Sequence, residues 1–266
     1  MICSAVPPPD RLLLPFIDSY VCLSSDQSTA QQKLPAGWAC LWILVRGRAT
    51  LDCDTQTRKS IWPATLTGPF HRHHRLGMIG PTMLFGARIT PAGWGGLIPQ
   101  EAHRLADQAG NAKLLLGPAI EQLQAAMAKC TQLPEMAELA TSFFADRIKS
   151  IPLSHQRVNQ ALRDWLASTP RAAPDILSEQ LNMSARQVER IANRYWGAPP
   201  RTLARIDRAL HMAACIRSGE NHPTPYADAS HLSREVKRVT GYTPRQLMSL
   251  GSGPFGRPTD APKEQG

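Results

Sequence analysis

No stretch of this chain approaches the roughly 18 consecutive apolar residues that a membrane-spanning helix requires. The first apolar cluster, Leu12-Leu13-Leu14, is cut short by Pro15 and Asp18, and no charged region precedes an apolar run as in a secretory leader. A disulfide framework is also missing. Cys3, Cys22, Cys40, Cys53, Cys130 and Cys215 are scattered, without a Cys-x-x-Cys pair, which points to a reducing compartment and a cytoplasmic protein. Catalytic signatures are lacking too: there is no Gly-x-Ser-x-Gly elbow, phosphate-binding glycine loop or paired-carboxylate motif. The expectation is therefore no enzyme, no catalytic residue and no cofactor.

What is present is length, and positive charge in one place. At 266 residues the chain can hold two domains, each with its own core, and its 42% apolar content is ordinary for a globular protein. The formal net charge is +9. Residues 1–150 carry 14 Lys/Arg against 11 Asp/Glu, and residues 151–266 carry 16 against 10, with 14 of those 16 cations being arginine. Arginine's planar fork suits phosphate and guanine, so the later half is the part to examine for nucleic acid, although net charge also serves solubility.

That half contains a helix-turn-helix pattern. Asp175 to Leu181 (DILSEQL) predicts a short helix and Asn182-Met183 a tight turn. Ser184 and Gln187 then form a capping box opening SARQVERIANRYW. Val188, Ile191, Ala192 and Trp196 share the inner face at three- and four-residue spacing. Arg186, Gln187, Glu189, Arg190, Asn193 and Arg194 remain outside, a set fitted to base edges and phosphates in a major groove. An ordinary surface helix would carry a similar face.

From these residues onward the chain resembles the AraC/XylS family of bacterial transcription regulators. The resemblance rests on Leu177 and Leu181, on Ser184-x-Arg186-x-Val188-x-Arg190, and on Gly197-Ala198-Pro199. It continues through a linker helix Thr202–Arg217 with Arg205, Arg208 and Ala209, then Asp228 to Arg238 (DASHLSREVKR), then Gly241-Tyr242-Thr243-Pro244. It implies two helix-turn-helix units on one rigid linker, reading successive major-groove segments. Arg186, Glu189 and Arg190 would lie nearest the base edges, with Gln187, Asn193 and Arg194 toward phosphates. Ala229, Ser230, Ser233 and Arg234 would add contacts from the second unit.

One departure stands out. Where the family carries a supporting helix for the second unit, this chain has eight residues, Glu220 to Ala227, including Pro223 and Pro225. Proline removes helical hydrogen bonds and biases its predecessor to extended geometry. Leu232, Val236 and Val239 still offer an apolar face, with Asp228 as N-cap, but nothing nearby in sequence replaces the missing packing. The second unit is expected to be loose.

The first 150 residues read as β-rich. Trp38 to Asp52 is a strand former with Arg46-Gly47-Arg48 as a hairpin turn, and Ser60 to Thr67, Met78 to Gly80 and Met83 to Ile89 are further short strands. From Leu114 the period becomes helical, with Ile120, Leu123, Ala126 and Met127 on one face, then Met136, Leu139, Phe143 and Ile148 on another. Phe85 to Trp94 (FGARITPAGW) and Pro9 to Tyr20 resemble elements of the cupin-like sensor domains joined to some AraC-family proteins. That implies an effector or protein-interaction domain, with helices that could mediate homodimerisation.

Three features invite sharper readings. His71 and His73 fit the His-x-His pair of a cupin metal site, but no carboxylate follows at the needed spacing and Glu101 is distant, so a polar loop is favoured over metal. Trp38, Trp42, Trp62 and Trp94 could line an apolar ligand pocket, with core packing as the plainer account. Cys215, near His211 and Arg217 in helical spacing, reads most simply as a buried small residue.

The expected fold is α+β: a cupin-like β-barrel or sandwich with terminal helices over 1–150, an all-α DNA-binding domain over 153–250, and a disordered tail over 251–266. The expected partners are double-stranded promoter DNA, RNA polymerase and a small-molecule or protein effector, with activation as the commoner mode and no membrane. Two other classes stay open: a protein-interaction modulator that no longer binds DNA, and a metal-dependent cupin enzyme.

Overall fold

The computed structural model describes residues 2–8, 10–54, 57–168, 173–219 and 229–249. An N-terminal antiparallel sheet is followed by a mostly helical region, an α+β arrangement. The strands are β1 (Ile2–Val6), β2 (Ile17–Ser25), β3 (Thr29–Leu34), β4 (Ala39–Asp54), β5 (Thr57–Ser60), β6 (Ala64–Thr67), β7 (His74–Ile89) and β8 (Ala109–Asn111). The helices attached to the sheet are α1 (Pro91–Leu97), α2 (Ala112–Leu116), α3 (Ala119–Met127) and α4 (Leu133–Ala145). The helical region holds α5 (Leu153–Ala167), α6 (Asp175–Leu181), α7 (Ala185–Trp196), α8 (Pro200–Ser218), α9 (Ala229–Thr240) and α10 (Pro244–Ser249).

The sheet is organised by β4 and β7, which pair from Ala39↔Ile89 to Leu51↔Leu76. On the outer edge of β7, β2 pairs with Thr82 to Ile89 and β3 with His74 to Ile79. On the outer edge of β4, β6 pairs with Cys40 to Ile43 and β5 with residues from Thr50 onward. Register shifts between Leu44 and Arg48 mark a bend between these two arms. Gly47 (φ +85°) and Gly80 (φ +69°) supply left-handed backbone there, and a Cβ on Gly47 would run into the Pro81 carbonyl and Thr82. Arg46-Gly47-Arg48 has the composition of a hairpin turn; instead the strand bulges, bends and continues. Likewise Met78 to Gly80 and Met83 to Ile89 are one strand, because the bend absorbs Pro81 without ending the pairing.

Bending gives the sheet two apolar faces. Tyr20, Leu41, Ile43, Phe85 and Ala87 pack with Ile120, Met127, Met136 and Phe144 of α3 and α4. On the other face Val21, Leu23, Trp42 and Leu84 meet Ala49, Leu51, Leu76 and Met78 from the second arm. Each such fully buried large side chain stabilises by about 1.5–3 kcal/mol. Met136 and Phe143 are buried on α4 and Leu139 packs partly against them, but Ile148 lies past the helix end.

In the helical region Val158, Leu162, Leu177, Val188, Ile191 and Trp196 form the core joining α5, α6 and α7. The indole N–H of Trp196 donates to the buried Asn159 Oδ1 (2.9 Å), fixing α7 against α5. Helix α8, 19 residues and so about 28 Å long, carries α7 at one end and α9 at the other.

Packing is tight where β7 passes Trp42 and Val21. A Cβ at Gly86 would sit 2.7 Å from both Trp42 Cζ3 and Val21 Cγ2. Gly86→Ala is expected to cost about 1–3 kcal/mol, read as a lower denaturation midpoint with unchanged slope; an unchanged midpoint would mean Trp42 moves aside freely.

Candidate nucleic-acid interface

The first helix-turn-helix unit is built as its sequence indicates. Helix α6 ends on Asn182 in the left-handed region (φ 50°), and Met183 N–H donates to Ser178 O (3.0 Å), closing the turn. The capping box is complete: Gln187 N–H donates to Ser184 Oγ (3.3 Å) and Ser184 N–H to Gln187 Oε1 (2.9 Å). Val188, Ile191, Ala192 and Trp196 are buried, as spaced, and Tyr195 joins them. On the outer face Arg186, Gln187, Glu189, Arg190 and Arg194 are exposed and Asn193 is half-buried. Arg186, Arg190 and Arg194 recur every fourth residue, a cationic stripe about 12 Å long.

The C-terminal end of α7 is seated on the sheet domain. Tyr195 lies against Gly95 of α1, and its hydroxyl meets His155 Nδ1 at 2.7 Å. Gly197 (φ +80°) passes close to Pro69 and the Ala102 carbonyl. The stripe thus faces outward from a helix held at its far end.

The second unit is held differently. Asp228 and the span Glu220 to Ala227 lie outside the described residues, as does the side chain of Ala229. Ser230 and Arg234 are exposed and Ser233 is half-buried, with Arg234 Nε donating back to Ser230 O (3.3 Å). Val236 packs with Met212, Ala213 and Leu247, and Val239 with Ile206, Ala209, Leu210 and Ala36. Ala36 belongs to the sheet domain. Part of the apolar face of α9 therefore rests on a segment remote in sequence.

Four successive carbonyls near the end of α9 have donors. Val236 O accepts from Thr240 Oγ1 (2.7 Å) and Lys237 O from Gly241 N–H (2.8 Å). Arg238 O accepts from His73 N–H (2.9 Å) and stands 3.0 Å from His73 Nδ1, while Val239 O accepts from Ala36 N–H (2.7 Å). Just beyond, Lys33 Nζ donates to Gly241 O (2.6 Å) and stands 3.9 Å from the centre of the Tyr242 ring. In return Arg238 Nη1 donates to His71 O (2.6 Å) and its Nη2 pairs with Glu235 (3.1 Å). The carbonyls of Arg238 and Val239 have no partner within their own helix, so their satisfaction here is a tertiary interaction.

This docking accounts for the histidines. Asp107, itself at positive φ (56°), accepts from His71 N–H (2.9 Å) and lies 3.0 Å from His74 Nε2. Burial works to raise its carboxyl, but these hydrogen bonds outweigh it and hold Asp107 below its ordinary range. Among the described residues no group of three or more His, Cys, Asp or Glu is placed to hold a metal ion. His71 and His73 line the seam with α9.

A cavity of about 410 Å³ lies inside the bend, lined largely by apolar groups that include Val21, Leu23, Trp42 and Phe70. Trp38 and Trp42 line it, and each has a buried indole N–H without an acceptor among the described residues. Arg88, paired with Asp18 at 3.2 Å, is in the same wall. Arg163 of α5 reaches the opposite side of the seam, 5.7 Å from the Trp38 ring. Trp94 is core instead, 1% exposed with its N–H on Gln100 O, and Trp62 is 40% exposed on a separate surface depression. Cys215 is buried beside His211, with Sγ 3.7 Å from the ring nitrogens. No helix among the described residues is long and apolar enough to cross a membrane.

No protein-family model and no curated protein matches the sequence. Solved structures do match over most of the chain. An apo form of ToxT from Vibrio cholerae is 11% identical with a TM-score of 0.49, covering 88% of this chain and 98% of that one. Unsaturated fatty acid bound wild-type ToxT gives 12% identity and a TM-score of 0.46, over 87% and 95%. The AraC-like transcriptional activator CuxR gives 13% and 0.29, over 81% and 87%.

The seam is sensitive to acid. Burial lowers His71, with Arg238 and Arg205 adding and Asp107 opposing; burial likewise lowers His73, with Lys33, His74 and Arg75 adding and the hydrogen bond to Arg238 opposing. Docking therefore favours the neutral form of both rings. Below the ordinary histidine value of about 6.5, the undocked chain binds protons that the docked chain does not, so the stabilisation is complete above that value and declines as pH falls. The melting temperature is expected to drop between about pH 7.5 and about pH 5.5. The drop should shrink when His71 and His73 are both changed to Gln; an equal drop would place the titration elsewhere.

Proposed function

We propose that this chain is a sequence-specific transcription regulator of the AraC/XylS type, binding promoter DNA through its helical region (about 153–250) and sensing an effector through its sheet domain (about 1–150). The observation carrying this reading is the outer face of α7: a capped helix, fixed by its buried face, that leaves Arg186, Gln187, Glu189, Arg190 and Arg194 exposed together. Fixed geometry matters because base readout needs side chains held in register with the groove, whereas phosphate contact needs only charge. Arg186, Glu189 and Arg190 are assigned to base edges, and Gln187, Asn193 and Arg194 to phosphates. Ala229, Ser230, Ser233 and Arg234 serve the second groove segment, at the other end of α8.

The effector site in this reading is the cavity inside the sheet bend. Its apolar wall suits an apolar small molecule, and the two indole N–H groups call for a hydrogen-bond acceptor on it. Activation, through contact with RNA polymerase, is the mode assigned to it.

The test separates the two kinds of arginine. Arg190→Ala is expected to weaken a specific site by about 1–3 kcal/mol and relax preference at one base pair. Arg194→Ala should weaken specific and random duplexes alike and reduce the salt dependence by about one phosphate contact. Equal losses on specific and random DNA for both variants would contradict these roles.

A further inference from the structure

The cationic stripe of α7 continues onto a neighbouring helix. His155, in the first turn of α5, is half-buried on the flank of the stripe. Burial lowers its ring, and the charges of Arg194 and Arg190 lower it further. Tyr195 of α7 meets the same ring edge-on, with centroids 5.5 Å apart and its hydroxyl 2.7 Å from His155 Nδ1. Helix α1, on which Tyr195 rests, carries no charged residue, and the first turn of α5 carries no acidic one. No carboxylate among the described residues acts on the ring. The charges facing this histidine are therefore cations alone.

The direction of the Tyr195 bond fixes what the rest of the ring offers. Burial raises the Tyr195 phenol, and Arg194 opposes this by its charge and by a hydrogen bond. A guanidinium can only donate, so the phenol oxygen accepts from Arg194 and its own proton goes to His155 Nδ1. A neutral imidazole that accepts at Nδ1 carries its proton at Nε2. That N–H has no acceptor among the described residues. We propose that His155 is a further backbone-phosphate contact of the reading face, oriented by Tyr195 and acting beside Arg194, so that α5 and α7 hold one phosphate of the duplex between them. The assignment rests on the regulator reading of α7. The free chain favours the neutral ring, whereas a phosphate within hydrogen-bond reach of Nε2 favours the charged one. Binding therefore takes up a proton at any pH between the lowered value of the free ring and its raised value in the complex. Affinity rises as pH falls through that window.

Binding of the full chain to a random duplex tests the contact, because such binding is almost wholly to phosphates. Between about pH 7.5 and about pH 6 the wild-type affinity is expected to rise about fivefold more than that of His155→Gln, which keeps a neutral donor but cannot charge. At the lower pH the wild-type salt dependence should be steeper than that of the variant by about one phosphate contact; at the higher pH the two should nearly agree. Parallel pH and salt profiles for the two proteins would overturn the contact. A loss in the variant that is equal at both pH values would do so too, since a ring that merely holds Tyr195 gives that result. Nitrogen NMR shifts of the wild-type rings without DNA supply a second reading that needs no variant. At about pH 8, above the ordinary histidine value, they should place the His155 proton on Nε2; a proton on Nδ1 would overturn the arrangement. Equal affinity for random duplex and for the chain's own upstream region, with the His155 differences intact, would count against the regulator reading and not against this contact. Failure to bind any duplex at either pH would overturn both.

Discussion

The β4–β7 ribbon is the constraint on which the other features depend. Two 16-residue strands paired along most of their length cannot stay flat within a small domain, and the bulge at Gly47 and Gly80 is where they bend. The bend gives the sheet a second apolar face, and that face is incompletely filled, which is the cavity. It also brings the β3–β4 connection and the His71–His74 corner to one side, where they meet α8 and α9. A straight ribbon would have neither the cavity nor the seam.

The seam joins the two halves by backbone satisfaction more than by charge. Its core is small: Ala36 among Ile206, Ala209, Leu210 and Val239. Around it lie the capped carbonyls of α9 and the network of Arg205, Glu235 and Arg238, with Arg205 Nε 3.6 Å from Glu235. Individual exposed ion pairs contribute about 0–1 kcal/mol, whereas a buried carbonyl left without a donor costs about 1–3 kcal/mol. Geometry at the donors, not net charge, therefore decides whether the helix stays seated.

Local rules were enough for the first helix-turn-helix unit. Ser184, Gln187, Asn182 and the spacing of Val188, Ile191 and Trp196 act within one or two turns, and each occupies the place its pattern implied. The β-rich class of the first 150 residues was legible too, but its strand plan was not. β1 and β3 are short or polar edge strands with weak alternation, and Gly47 and Pro81 carry turn chemistry that the long-range pairing of β4 and β7 overrides. The support of α9 was illegible for a related reason. Lys33, Ala36 and His73 meet residues 238–241 across more than 160 positions of chain, and none of them carries a motif. The spacing of His71 and His73 fits a metal pair but favours a polar loop, and neither pattern contains their partners, Asp107 and the end of α9.

The central claim, that two helices on one linker read DNA, is tested most directly by footprinting the full chain on duplexes from its own upstream region across a range of salt. The account predicts a discrete footprint over two successive major-groove segments about one helical turn apart, persisting as salt removes nonspecific binding. Binding that is wholly lost with salt and leaves no footprint would contradict it.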